Sequence, residues 1–188
     1  MAKRLTVLAV VSLFVLGCVS IGLCDVAAPK SPKKQTTLKL YTDAKGAYKM
    51  FKEKKVPILD VRTPQELQFV GNTGIAVNIP WEVWSYKWDD KKGKFKKPIN
   101  EKFVQQVKAL YKPGQPLIIM CRSGHRSAAA INALAKVGYT KVYQVVDGFE
   151  GDKAKEGPNK GQRVVNGWKN AKLPWTYKMK KDQTYMPK

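Results

Sequence analysis

One cysteine, Cys121, opens a polar, positively charged stretch that continues to Ser127 with the sequence Cys-Arg-Ser-Gly-His-Arg-Ser. The apolar run before it, Leu117–Met120, has the composition of a buried strand, and an alanine-rich helical pattern follows at once. A thiol at such a junction faces the N–H groups of a tight turn and the positive end of a helix dipole. With two arginines nearby, these surroundings favour the thiolate, the nucleophilic form of cysteine. The pattern therefore predicts attack by sulfur, and a small buried cysteine is the less favoured alternative.

The other residues of this loop are candidates for substrate binding. Arg122 and Arg126 could hold an anionic donor, although Arg126, at the predicted helix start, could instead pair with an acid such as Asp60. His125 is the only histidine of the chain, and it could orient an oxyanion, carry a proton, or simply fill the rim of the pocket. Hydroxyl and backbone donors would come from the remaining loop residues, Ser123, Gly124 and Ser127, of which Ser127 could equally be a cap-like residue.

A second group of candidates follows another apolar strand. Asp60 and Arg62 lie at the carboxyl end of that strand, the edge at which α/β sheets place their sites. Arg62 is therefore a further candidate for substrate binding.

Segments typical of strands and helices alternate along the chain, which predicts an α/β fold with a small parallel sheet and helices on both faces. The predicted strands are 38–40, 56–61, 76–79, 117–120 and 142–146. The predicted helices follow a cap at Thr42, start at Thr63-Pro64, span 103–110, run from the cysteine loop to Gly138, and close the domain at 167–173. Residues 152–163, polar and rich in lysine and glycine, are predicted to form a surface loop.

Three tryptophans follow Pro80 at helical spacing. Trp81, Trp84 and Trp88 would share one helix face, and such a stripe more often packs in a core than binds a ligand. With Tyr86 they could instead wall the pocket or form a partner surface.

The N-terminal residues have the pattern of an export signal. Lys3 and Arg4 precede a stretch up to Cys24 that is apolar apart from Thr6, Ser12 and Ser20. Cleavage after Cys24 is the favoured interpretation, a lipoprotein signal ending at residue 17 with Cys18 lipidated is the second, and an uncleaved anchor is the third. All three place the domain outside the cytoplasm, periplasmic or secreted, or anchored to a membrane as a lipoprotein. The predicted organisation is a signal at 1–24, a linker at 25–37, the domain at 38–178 and a basic tail at 179–188.

Charge and cysteine content limit the function classes. The 188 residues carry a formal charge of +21, and residues 1–24 hold Lys3 and Arg4 and no acid, so the mature chain keeps +19. Such a charge favours anionic partners: small oxyanions, an acidic protein or an anionic lipid surface. Nucleic-acid binding would need a recognition motif, and none is present. After cleavage only Cys121 remains, which predicts no disulfide, no dithiol cycle and no thiol cluster for a metal, and nothing indicates an organic cofactor.

Several segments of the sequence, taken in their order along the chain, resemble those of the single-domain rhodanese-like sulfurtransferases. The matching segments are 58–62, 74–80, 118–127, 133–139, and 145–151 with Trp168, within residues 39–175. The resemblance implies that Cys121 carries a persulfide between two half-reactions, and that Asp60 and Arg62 are mainly structural, with Arg62 sometimes near the active-site loop. Many family members have a Gly-Gly pair shortly before a tryptophan. Here Gly148-Phe149-Glu150-Gly151 precedes the basic loop, which predicts an unusual pocket rim.

The chemistry implied by this resemblance is a pair of displacements at sulfur. The Cys121 thiolate attacks the outer sulfur of a donor such as thiosulfate and sulfite leaves; a thiophilic acceptor then attacks the persulfide. Phosphatases and arsenate reductases of similar fold place five residues between the cysteine and the arginine. Here four residues separate Cys121 from Arg126, and this shorter loop favours sulfur over phosphate or arsenate.

Three functions follow from these observations. The first is an exported sulfurtransferase. The second is a persulfide carrier or basic docking module for an acidic exported redox protein, such as a multihaem cytochrome. The third is a phosphatase or arsenate reductase, and a selenium or tellurium oxyanion substrate is a further alternative.

Overall fold

The computed structural model describes residues 26–187, in which a five-stranded parallel sheet has the strand order β1-β7-β6-β2-β3. The strands of this sheet are β1 (Tyr41–Thr42), β2 (Ile58–Asp60), β3 (Val77–Asn78), β6 (Leu117–Met120) and β7 (Val142–Val145), and a separate antiparallel pair is formed by β4 (Trp88–Asp89) and β5 (Lys94–Phe95). The α-helices are α1 (Ala44–Lys54), α2 (Pro64–Val70), α3 (Phe103–Leu110) and α4 (His125–Ala135). The predictions made for residues 1–25, including the export signal and Cys18, lie outside the described residues.

Helices cover both faces of the sheet, so the predicted fold class is confirmed. The central strand β6 is buried throughout because alternate side chains pack on opposite faces. Ile119 packs with α3 and α4 on one face. Met120 packs with α1 and Trp168 on the other. All five strands run parallel, so their carboxyl ends meet at one edge, where β6 continues into Cys121.

The start of α2 confirms a helix that the sequence predicts in detail. The Thr63 hydroxyl accepts a hydrogen bond from the N–H of Glu66 at 3.3 Å, and a Glu66 carboxylate oxygen accepts one from the N–H of Thr63 at 3.1 Å. This reciprocal capping box satisfies two N–H groups that otherwise have no partner at a helix start. Pro64 follows at the first helical position, which needs no N–H donor. The first helix is capped differently from the prediction, since the Asp43 carboxylate, and not Thr42, accepts from Gly46.

The predicted closing helix at 167–173 is wrong, and the helical spacing of the tryptophans after Pro80 does not correspond to a helix. Residues 81–88 belong to an extended hairpin, in which Val83 donates its N–H to Pro98 at 2.9 Å and Lys96 donates to Lys87 at 2.8 Å. Residues 167–173 form consecutive turns. Gly167 and Lys172 both have left-handed φ values, 94° and 56°, which a continuous right-handed helix does not allow.

The second half of the segment predicted as a linker is packed on the domain. Residues 32–34 form a 3₁₀ turn against α4. The N–H of Thr37 donates to the Asn132 side chain at 2.8 Å, and Lys34 pairs with Asp152 at 2.7 Å. The charge and proline content that predict a linker do not reveal these long-range contacts. Within the described residues, no helix has the length and apolar character needed to cross a membrane.

Asp147 joins three parts of the chain beyond the end of β7. Its carboxylate accepts hydrogen bonds from the N–H groups of Ala44, at the start of α1, and Gly167, at 3.0 Å and 2.9 Å. Burial raises the pKa of this carboxyl to about 6, despite the backbone donors that favour the charged form.

The raised pKa of Asp147 predicts a pH dependence of stability. The folded state binds a proton at this carboxyl more tightly than the unfolded chain does, so its contribution increases as the pH falls through about 6 toward 4. Relative to Asp147→Asn, the wild-type free energy of unfolding should rise by about 1 kcal/mol between pH 7 and pH 5. Urea titrations of both proteins at the two pH values measure this difference. An unchanged difference would contradict the raised pKa.

Candidate active site around Cys121

The sulfur of Cys121 lies where β6 ends and α4 is about to begin. The residue is 1% exposed. The N–H of Gly124 donates to Sγ at 3.1 Å, and Sγ lies 3.5 Å from the Ser127 hydroxyl oxygen. Gly124 is the N-cap of α4, so the sulfur faces the positive end of that helix. The Gly124 N–H and the helix end are groups of the kind that favour negative charge on a sulfur.

The position of Gly124 requires glycine for two reasons. Its φ is 98°, a left-handed value that side chains disfavour. A Cβ there would also lie 2.4 Å from the carbonyl oxygen of Val146. The Gly124 carbonyl is held by two buried donors, the Ser127 hydroxyl at 3.0 Å and the Gln144 amide at 2.8 Å. The residue that presents its N–H to the sulfur is therefore held in place by its own carbonyl.

A second chain segment supports the start of the loop from the side. Phe149 donates its N–H to the carbonyl of Cys121 at 2.8 Å, and Glu150 donates to that of Arg122 at 3.0 Å. Gly148 approaches so closely that a Cβ would lie 2.5 Å from the Cys121 oxygen. Phe149, which departs from the Gly-Gly pattern, packs its ring 4.0 Å below the Arg62 guanidinium. The unusual residue therefore belongs to the scaffold beneath the loop.

Arg126 is held by an acid other than the one considered from the sequence. Its guanidinium donates two hydrogen bonds of 2.6 Å to the Glu66 carboxylate. Burial of Glu66 opposes its charged form, but the hydrogen bonds and charge of Arg126 outweigh that effect and lower the pKa of Glu66 to about 2. The same pairing raises the pKa of Arg126 although burial acts in the opposite direction. The loop is thereby fastened to the start of α2.

Arg62 does not reach the loop cavity, so its predicted role in substrate binding is not supported. Its side chain is fully buried and donates to both oxygens of Asp60, at 2.7 Å to the nearer, and to the carbonyl of Gly71. A buried ion pair of this kind positions backbone. It joins the carboxyl end of β2 to the end of α2. The pair also explains why Asp60 is unavailable to Arg126.

A cavity of about 570 Å³ opens directly onto Cys121. Its loop side is lined by Cys121, Arg122, Ser123, His125 and Arg126. Its opposite wall comes from the hairpin around β4 and β5, with Glu82, Asp89, Lys92, Lys94, Phe95, Lys96, Lys97 and Pro98. The structure therefore brings these predicted loop residues together at one opening. Ser127 and Gly124 lie beneath it, next to the sulfur.

Comparison with known proteins decides the family. The model of the rhodanese-like domain matches residues 43–155. The chain belongs to the rhodanese-like domain family. It is 37% identical over 93 residues to thiosulfate sulfurtransferase 18 of Arabidopsis thaliana, covering 48% of this chain and 62% of that protein. It is also 30% identical over 125 residues to the Rickettsia conorii protein RC0915, covering 64% of this chain and 82% of that protein.

A solved structure agrees with this assignment. The crystal structure of Rv0390 from M. tuberculosis superposes with a TM-score of 0.58 at 28% identity, covering 73% of this chain and 97% of that one. The rhodanese-like fold expected from the sequence is thus confirmed by sequence and by structure.

His125 lies exposed at the rim of the rhodanese-like site. Partial burial and the positive charge of Lys34 lower the pKa of its imidazole, while Asp152 acts in the opposite direction. The lowered pKa favours the neutral imidazole, which can offer a hydrogen bond to an oxyanion at the rim.

Among residues 26–187, no group of three or more His, Cys, Asp or Glu side chains is arranged to hold a metal ion.

Two supporting residues of the rhodanese-like site were missed by the sequence analysis. Neither Glu66, which follows the predicted helix start at Thr63-Pro64, nor Gln144, which lies within the predicted strand 142–146, was singled out as a site residue. Both act on the loop through contacts with residues far away along the chain.

Proposed function

We propose that this chain is a sulfurtransferase that moves sulfane sulfur from a donor such as thiosulfate to a thiophilic acceptor through a persulfide on Cys121. Membership of the rhodanese-like family and the similarity to a named sulfurtransferase support a sulfurtransferase-type function. The observation that carries the proposal is the sulfur itself: it lines an open cavity while receiving the N–H of Gly124 at 3.1 Å. A donor that enters this cavity could therefore approach the sulfur, although the residue itself is almost fully buried.

The first half-reaction uses the groups around Sγ. The Cys121 thiolate forms a bond to the outer sulfur of thiosulfate, the sulfur–sulfur bond of the donor breaks, and sulfite leaves with the electron pair. Arg122, whose side chain is exposed, and the imidazole of His125 both line the cavity and would bind the sulfonate oxygens. The N–H of Gly124 and the positive end of α4 would then hold the negative charge of the persulfide.

Arg126 acts chiefly by position in this proposal. Both of its terminal nitrogens donate a hydrogen bond to Glu66, so it keeps the helix start and the loop in place and adds positive charge from the side. The same geometry disfavours the phosphatase alternative. An arginine that binds a phosphate in a cysteine loop must turn its guanidinium toward the anion, whereas here it forks onto a carboxylate. We expect no cysteine-dependent hydrolysis of p-nitrophenyl phosphate.

Export is part of the proposal and rests on the N-terminal sequence. The order of preference stays cleaved signal, lipoprotein and uncleaved anchor, with the domain outside the cytoplasm in each case. Radiolabelled palmitate incorporation that depends on Cys18 would favour the lipoprotein over cleavage after Cys24.

Intact-protein mass spectrometry tests the sulfur chemistry. The protein used is the full chain with Cys18 and Cys24 changed to serine, so that Cys121 is the only thiol. Incubation with thiosulfate should add about 32 Da, one sulfur atom, and cyanide should remove it. A protein that keeps a free, alkylatable thiol but gains no mass from thiosulfate or from a persulfide donor would overturn the proposal.

A further inference from the structure

The wall opposite Cys121 is formed by an element that the sulfur chemistry does not use. Residues 82–99, here called the lysine–aromatic hairpin, pair from Glu82 with Ile99 to Asp89 with Lys94. Six lysines and three acidic residues lie between 82 and 98. Seven of the residues that line the cavity lie between Asp89 and Pro98, in β4, β5 and the segments next to them. Glu82, at the start of the hairpin, lines it as well. A substrate or partner that enters the cavity toward the sulfur therefore passes next to the hairpin.

Several positive charges at this opening have no acidic partner within the described residues. Two lysines at the opening do have an acidic partner: Lys92 lies 3.7 Å from Asp89, and Lys97 lies 3.6 Å from Glu82. Lys94, Lys96 and Arg122 line the same cavity and are exposed, and no Asp or Glu of residues 26–187 forms an ion pair with them. Three unpaired cations around one opening are more than a single small anion needs for binding. They favour a ligand that carries several negative charges.

Exposed aromatic rings accompany these charges. Trp84 and Trp88 pack against Phe95 with ring centroids 5.6 Å and 5.2 Å apart, yet each of the three keeps more than a third of its surface exposed. Tyr86 is 88% exposed. Exposed aromatic side chains beside positive charge are typical of surfaces that bind proteins. A small sulfur anion would gain nothing from them.

The size of the cavity supports the same conclusion. A water molecule occupies about 30 Å³ in the liquid, so a five-atom anion such as thiosulfate needs on the order of 100 Å³. The cavity of about 570 Å³ is several times larger. It has room for a peptide segment that carries a cysteine side chain to the sulfur of Cys121.

We propose that the sulfur acceptor is an acidic protein that docks on the lysine–aromatic hairpin and presents a cysteine to the Cys121 persulfide. This inference rests on the proposed function. The acceptor thiolate forms a bond to the outer sulfur of the persulfide, the bond between that sulfur and Sγ breaks, and Cys121 leaves as the thiolate. One persulfide and one thiolate enter the step, and one of each leaves, so no oxidant or reductant is needed.

Two matched peptides test the docking step. Both carry one cysteine, and one has glutamates where the other has glutamines. The full chain with Cys18 and Cys24 changed to serine is first loaded completely with persulfide and freed of donor, so that the loading rate does not enter. We expect the acidic peptide to take the sulfur at least tenfold faster at low ionic strength, with the advantage lost at about 1 M salt, where the Debye length is about 3 Å.

Paired variants locate the effect on the hairpin. Lys94→Gln/Lys96→Gln removes two cations that line the cavity, whereas Lys87→Gln/Lys91→Gln removes two exposed lysines of the same hairpin that do not line it. The first double variant should lose most of the preference for the acidic peptide. The second should change it by less than about twofold, since its charges lie away from the opening.

The possible failures are distinguishable. If thiosulfate and persulfide donors add no sulfur, the proposed function falls and this inference falls with it. If sulfur loads but both peptides react equally, only the docking inference is overturned. Equal peptide rates together with binding to phosphatidylglycerol vesicles that Lys94→Gln/Lys96→Gln abolishes would assign the hairpin to an anionic membrane instead.

Discussion

Replacement of Cys121 by serine is expected to abolish persulfide formation and to lower thiosulfate-dependent sulfur transfer at least about a thousandfold, as removal of a nucleophile does elsewhere. The reason is chemical and not structural. A serine hydroxyl is of similar size and can accept the N–H of Gly124, so the loop keeps its shape. It is not ionised near neutral pH and cannot form a persulfide. Formation of thiocyanate from thiosulfate and cyanide measures the transfer.

Two controls separate chemistry from folding in this experiment. The Cys18→Ser/Cys24→Ser chain should keep full activity, because neither residue belongs to the loop around Cys121. The midpoint of urea unfolding of Cys121→Ser should stay close to that of the parent. A folded serine variant that retains more than about one per cent of the transfer rate would place the nucleophile elsewhere.

The loop and its elements could be predicted because the decisive signals are local. A four-residue apolar strand, a glycine at the helix cap and an alanine-rich helix are adjacent along the chain, so the sequence alone places Cys121 between β6 and α4. The capping box of Thr63 and Glu66 is equally local, because its two members lie three positions apart. Local hydrogen bonds of this kind are fixed by spacing, and the structure confirms the elements that they define.

Partners of charged residues could not be predicted in the same way. Arg126 chooses Glu66, 60 residues away, because Asp60 is already saturated by Arg62. Spacing along the chain contains no information about that competition. A sequence that offers several acids to each arginine leaves the pairing open until the strands are placed.

The tryptophans after Pro80 show a different limit. Spacings of three and four residues suit a helix, but these residues lie in a hairpin, in which the Lys96 N–H donates to the Lys87 carbonyl across a turn that includes Gly93. Trp84 and Trp88 then both reach Phe95 on the other strand. The helical spacing of the tryptophans therefore does not reflect a helix. For this reason the sequence did not indicate the hairpin of β4 and β5, which faces Cys121 across the cavity.

Glu66→Gln is expected to lower both stability and turnover, because it leaves the largely buried guanidinium of Arg126 without a counter-charge. Both side chains are less than one-fifth exposed. Loss of one partner from a buried pair costs about 3 kcal/mol in unfolding free energy. Turnover should fall tenfold or more as the loop loosens. If Arg126 mainly positions the loop, kcat falls; if release lets it bind the donor, KM for thiosulfate falls as well.

The pH dependence of this effect follows from the lowered pKa of Glu66. The folded-state pKa, about 2, lies below the ordinary value of 4.5, so the ion pair contributes its full stability above pH 5 and loses it as the pH falls from about 4.5 toward 2. The difference in unfolding free energy between wild type and Glu66→Gln should therefore be constant from pH 8 to pH 5 and shrink below. Glu53→Gln, which neutralises an exposed glutamate on α1, is the matched control.

A double-mutant cycle completes this argument. If Glu66 and Arg126 act as one unit, Glu66→Gln/Arg126→Gln should be less damaging to stability than the sum of the two single changes, because it leaves no unpaired charge. Urea unfolding of the four proteins at pH 7 gives the coupling energy. Additive effects would mean that the two hydrogen bonds of 2.6 Å contribute little and that Arg126 is held in place by packing alone.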